Sequence, residues 1–129
     1  MQVPIFLEQS MEKQMATFLS TLLNAGTNAH FFHWATNSYS QHKALGKFYE
    51  EVIELTDDLA EAYFGVYGQI KEFPNTYHTP TEPLKYLESL QKFIKEARPD
   101  LPKETELIQL VDNIADLVDT TVYKLKFLK

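Results

Sequence analysis

Apolar residues recur at intervals of three and four over four long stretches of this chain, with almost no Gly or Pro inside them. Met11, Met15, Phe18, Leu22, Ala25, Ala29 and Phe32 form one such series, and Leu45, Phe48, Val52, Leu55, Leu59, Ala62, Val66 and Ile70 form the next. A shorter series holds Leu87, Leu90, Ile94 and Ala97. The last holds Leu107, Val111, Ile114, Val118, Val122 and Leu125. This rhythm keeps apolar side chains on one side of an α-helix and suits no strand, whose side chains alternate with a period of two. It predicts helices near 7–34, 40–73, 83–97 and 103–127, and no sheet.

The punctuation agrees. Turn formers cluster at Thr36-Asn37-Ser38-Tyr39-Ser40, between Pro74 and Pro83, and at Arg98-Pro99-Asp100-Leu101-Pro102. Pro83 suits a first helical turn, where its missing N–H has no partner to lose. Lys124, Lys126 and Lys129 close the last stretch, where cations oppose the helix dipole. Four amphipathic helices with three short connections predict one all-α domain over residues 1–129, an antiparallel four-helix bundle. The third helix is shorter than the second, so one end of the bundle is expected to be thin or covered by a partner chain.

Composition removes whole classes of chemistry. The chain has no Cys, which excludes disulfides, zinc fingers, iron–sulfur clusters and thiol nucleophiles. At 129 residues, with 44% hydrophobic and 23% charged residues, it is one ordinary globular domain rather than a disordered segment. The formal charge of −6 makes the body a poor binder of nucleic acid or anionic membranes and a better host for a cation. No apolar run is long enough to span a bilayer. The opening MQVPIFLEQS lacks a basic region and a long apolar core, so no signal peptide is expected and the cytoplasm is the expected location.

Two sets of residues carry candidate chemistry. Glu50, Glu54, Asp57 and Glu61 recur at four, three and four, one acidic stripe facing away from the chain's own core. A solvated outer face explains such a stripe in most proteins. Here no Lys or Arg lies four residues from its middle members, and Ile53, Ala60, Phe64 and Tyr67 flank it on the outward side. Unpaired carboxylates among apolar groups suit an interface that holds cations. The second set is His30, His33 and His42 around the first turn. Taken singly, each is an ordinary helix-end histidine; together with carboxylates, imidazoles suit iron, zinc or manganese. No Glu-x-x-His is present, so the di-iron site built on that motif in bundle centres is excluded, and metal, if bound, sits on the outward face.

His33-Trp34, then His42, then Asp57 fifteen positions on and Glu61 four beyond that, resembles the signature of the Dps family, ferritin-like proteins of DNA protection in starved cells. The similarity covers about residues 19–68. It implies a ferritin-like fold, a homodimer at least, with higher homo-oligomers possible, and a ferroxidase site between two subunits. In that arrangement His33 and His42 of one subunit meet Asp57 and Glu61 of the other around iron, with zinc as the alternative ion. Trp34 is implied as a redox neighbour. His30 and Asp58 have no clear counterpart in the family and are read here as groups placed to orient the ligands. The spacing from His33 to His42 is shorter than the family's, and no Lys-rich N-terminal tail precedes the bundle. The contrasting expectation is a structural or interaction bundle of the same ancestry with no working metal site.

Overall fold

The computed structural model describes residues 5–129, with side chains described from residue 10 onward. Residues 1–4, on which part of the signal-peptide reading falls, lie outside the described residues. Four helices make up the described chain: α1 (Ile5–Ala35), α2 (Tyr39–Tyr67), α3 (Pro83–Ala97) and α4 (Thr105–Phe127), with a short 3-10 turn at Arg98–Asp100 before α4. No strand occurs among the described residues.

The predicted apolar series are the core. Met15, Phe18, Leu22, Ala25, Ala29 and Phe32 of α1 are buried, as are Leu45, Phe48, Val52 and Leu59 of α2. Leu87, Leu90 and Ile94 of α3 and all six predicted residues of α4 join them. Pro83 stands in the first turn of α3. Ser38 caps α2, its hydroxyl accepting from the amide of Gln41, so the first connection is only three residues long.

Two expectations fail at the end of α2. The helix stops at Tyr67 rather than Phe73, because Gly68 takes φ +94°, a backbone conformation that ends a helix and suits glycine. Val66, expected in the core, is 45% exposed, and Tyr63 is buried in its place. The second connection is also not short. Residues 68–82 form a strap without helix or strand, almost wholly exposed except for Ile70.

The contacts explain why the strap must be long. Along α1 and α2 the touching pairs are Gly26 with Ile53, His30 with Tyr49 and His33 with His42, so the two helices run in opposite directions. Phe18 with Phe93 and Phe32 with Tyr86 give the same sense for α1 and α3. Ser40 bonds the Leu128 carbonyl, and the Tyr67 hydroxyl donates to Glu104 at 2.5 Å, which sets α2 against α4. Gln91 with Asp119 and Arg98 with Asp112 set α3 against α4. Helices α2 and α3 therefore point the same way, and the chain must travel back along the bundle between them. It does so beside α1: Ile70 lies near Ala16 and Thr17, and Tyr77 reaches Asn28.

Candidate functional site

The turn between α1 and α2 gathers four of the residues singled out from the sequence. His33 and His42 stack with ring centroids 3.7 Å apart and planes within 17°. Each ring is tied to the other's backbone: His33 Nδ1–H donates to the His42 carbonyl at 2.7 Å, and His42 Nδ1–H donates to the His33 carbonyl at 2.9 Å. A carbonyl can only accept, so both Nδ1 atoms carry hydrogen and each neutral ring keeps its lone pair on Nε2. His30 stacks on Tyr49 at 3.9 Å, and Trp34 lies 4.5 Å from His30. Trp34 itself is 67% exposed.

Glycine makes the stack possible. A Cβ on Gly46 would stand 2.9 Å from Cε1 of His33 and 3.1 Å from its Nδ1. The ring occupies the space that any larger residue at position 46 would need. Gly26 plays the same part higher on the seam, where its bare backbone faces the Ile53 side chain.

Asp57, Asp58 and Glu61 are all exposed on α2. Asp57 lies fifteen positions beyond His42, about 22 Å along the helix axis at 1.5 Å per residue. One chain does not bring these carboxylates to the histidines, and no group of three His, Asp or Glu side chains able to hold a metal occurs among the described residues. The family resemblance draws the two halves from different subunits.

Lysines that the sequence reading passed over stand beside the histidines. A groove of about 700 Å³ is lined by His33, His42, Lys43, Lys47, Glu50 and Lys124, among others. Lys47 makes only a long contact with Glu51, at 3.9 Å. Extended by Lys43 and Lys47, the acidic stripe becomes Lys43, Lys47, Glu50, Glu54, Asp57 and Glu61, with unbroken spacings of four and three. All six are exposed, basic at the start of α2 and acidic beyond. The signal was present in the sequence, in the same periodicity that marked the acids.

Apolar side chains accompany this face. Leu23, Phe31, Trp34 and Ile53 are exposed on the α1–α2 hairpin. No helix of the described residues is long and apolar enough to cross a membrane.

A family model described as a family of unknown function, DUF5856, matches residues 33–125. Comparison with curated proteins and with solved structures gives no match.

Proposed function

This chain belongs to DUF5856, a family of unknown function, and from that premise we propose that it is a Dps-like, ferritin-like protein that binds iron between two copies of itself and oxidises it. Ferrous iron would give up its electron to dioxygen or peroxide. The chain's part is to fix the ligands, with His33 and His42 from one copy and Asp57 and Glu61 from the other. Zinc would suit the same donors. A cytoplasmic location belongs to the same reading.

The single observation that carries it is the mutual tether of His33 and His42. Metal-binding histidines commonly donate their second ring nitrogen to a carbonyl, which fixes the tautomer and aims the other nitrogen. Both histidines do so here, each through the other's backbone. The direction of the helices adds support, because α1 and α2 form a hairpin, α3 and α4 pack as a second pair, and a long strap joins them, as in ferritin-like bundles with one long crossover.

Thermal melting with and without ferrous iron, kept anaerobic, and with zinc tests the reading. Metal at about a hundred times its dissociation constant adds about 2.7 kcal/mol, which would raise the melting temperature by several degrees. Asp57→Ala with Glu61→Ala should abolish the rise while leaving the helical spectrum unchanged. The reading fails if neither ion stabilises the unaltered protein, or if the double variant responds equally.

The bipolar stripe favours a second reading, a structural dimer without metal. In a two-fold pairing of α2 with its copy centred on residue 52, Lys43 stands opposite the copy's Glu61 and Lys47 opposite its Asp57. The same surface would meet itself, as a two-fold interface requires. In this reading lysines rather than a cation neutralise the carboxylates. Lys43→Glu with Lys47→Glu should then abolish dimers in chelator, and mixing that variant with Asp57→Lys/Glu61→Lys should restore them. A monomeric unaltered protein would remove both readings.

A further inference from the structure

On the other side of α1, away from His33 and His42, α3 and the strap enclose a second space. Phe18 stacks on Phe93 at 5.8 Å, and farther along, Phe32 meets the edge of Tyr86 at 5.9 Å. These two ring pairs stand between the helices. Between them the space is lined by Thr21, Asn24 and Asn28 on α1 and by Ser89 and Leu90 on α3. It is a cavity of about 690 Å³ under the strap, within the range of small-molecule sites.

Its polar groups are neutral and converge. Asn28 is 2% exposed, and its Oδ1 accepts from the Tyr77 hydroxyl at 2.7 Å. Tyr86 lines the same space. The Asn24 amide donates to the Thr76 carbonyl at 3.3 Å. Thr21, Thr81 and Ser89 add further hydroxyls to the lining. The formal charges among the lining residues are Glu82 and Lys85, which bond each other at 2.9 Å on the exposed rim, and His78 adds an imidazole beside Tyr86. An ionic ligand would lose water and find that lysine and carboxylate already paired.

Hydroxyl and amide groups both donate and accept, so they match a ligand whose own groups do both. The rings of Tyr77, Tyr86 and Phe93 offer apolar faces to the same space. We propose that the cavity between α1, α3 and the strap binds an uncharged, hydroxylated sugar ring, of mono- to disaccharide size. Asn28 and the Tyr77 and Tyr86 hydroxyls would meet the sugar hydroxyls, and the aromatic faces its C–H side. This site shares no residue with the proposed metal centre.

Amide chemical shifts of the full chain, recorded with glucose, maltose, uridine and sulfate up to 20 mM, test it. Maltose or glucose should give saturable shifts at Asn24, Asn28 and residues 76–81. Ser89 is exposed on α3, so Ser89→Tyr fills the entrance without touching the core, and it should weaken binding at least tenfold with an unchanged melting temperature. Asn28→Ala should also weaken it, but Ser89→Tyr decides the matter if that variant folds poorly. The proposal is overturned if neither sugar saturates, if binding survives Ser89→Tyr, or if only uridine or sulfate binds.

Discussion

Helix α1 is clasped differently on its two sides. Against α2 the backbone is bare where the side chains meet it: His33 occupies the space beside Gly46, and Ile53 and Val52 approach Gly26. Against α3 the rings stand between the helices, Phe18 on Phe93 at one end and Phe32 on Tyr86 at the other. The first arrangement closes a seam and leaves its histidines and lysines on the outward surface. The second arrangement opens a seam and leaves its chemistry inside, under the strap. Ring placement, more than ring number, decides which seam of this bundle is closed and which is left open.

The strongest way to break this contrast is to remove a spacer. Phe18 is fully buried, and Phe18→Ala should cost about 3–5 kcal/mol, the range for large-to-small changes in a core. Urea unfolding measures it. The loss should be accompanied by altered shifts at Phe93 and Ser89 and by little change at His33 and His42. A loss under about 1 kcal/mol would mean that Phe18 fills no essential space.

The glycine seam gives the next largest effect and an internal control. In Gly46→Ala the new methyl meets a ring held by hydrogen bonds, so the imidazole must leave its place. Overpacking of this kind costs about 1–3 kcal/mol. Gly26→Ala puts its methyl 3.2 Å from the Ile53 side chain, which can turn aside, and 3.3 Å from buried Val52, which must give by a few tenths of an ångström. The gain in helix propensity, about 1 kcal/mol, should leave that variant near neutral. Equal costs at the two positions would show that the His33 ring is not fixed as described.

Much of this was legible beforehand. The three-four spacing placed the helices because a packed helix must keep one apolar side, and the core of α1, α3 and α4 follows it except at Met11 and Ala97, which are only half-buried. The end of α2 was not legible. Val66 and Ile70 continue the rhythm in sequence, but Gly68 breaks the helix between them, and Ile70 is buried from the strap instead. The clustering of His30, His33, Trp34 and His42 followed from a short turn. The mutual backbone tether did not, since it depends on how two helices meet. Asn28 was hidden for the opposite reason. A polar residue beside an apolar series reads as surface, yet it is buried because Tyr77 and Tyr86, some fifty residues away, come to meet it.

The strap sharpens the comparison with a smaller effect. Tyr77→Phe removes the hydroxyl that Asn28 receives, at about 1 kcal/mol for one hydrogen bond. Its local effect should exceed its global one. Trypsin cleavage after Lys71, exposed in the strap, should quicken several-fold while the melting temperature moves little. Unchanged cleavage would place the strap's anchor elsewhere.

The smallest effect lies in alkaline solution, at Tyr86. Burial raises its pKa above the usual 10.0, opposed in part by the Asn28 side chain. The phenol in the folded chain therefore keeps its proton after the unfolded chain has begun to lose its own. Below pH 10 both states are protonated and the group's full contribution to stability is present. As pH climbs through the unfolded value toward the higher folded one, the unfolded chain binds fewer protons and that contribution is lost. Stability measured from pH 8 to pH 11 should fall more steeply in the unaltered protein than in Tyr86→Phe. Lys85, whose pKa the hydrogen bond to Glu82 raises, also loses its contribution as pH rises and lowers both curves together, so the difference between the curves isolates the phenol. Parallel curves would mean that Tyr86 meets water as freely in the folded chain as in the unfolded one, and the seam between α1 and α3 would then be open rather than roofed by the strap.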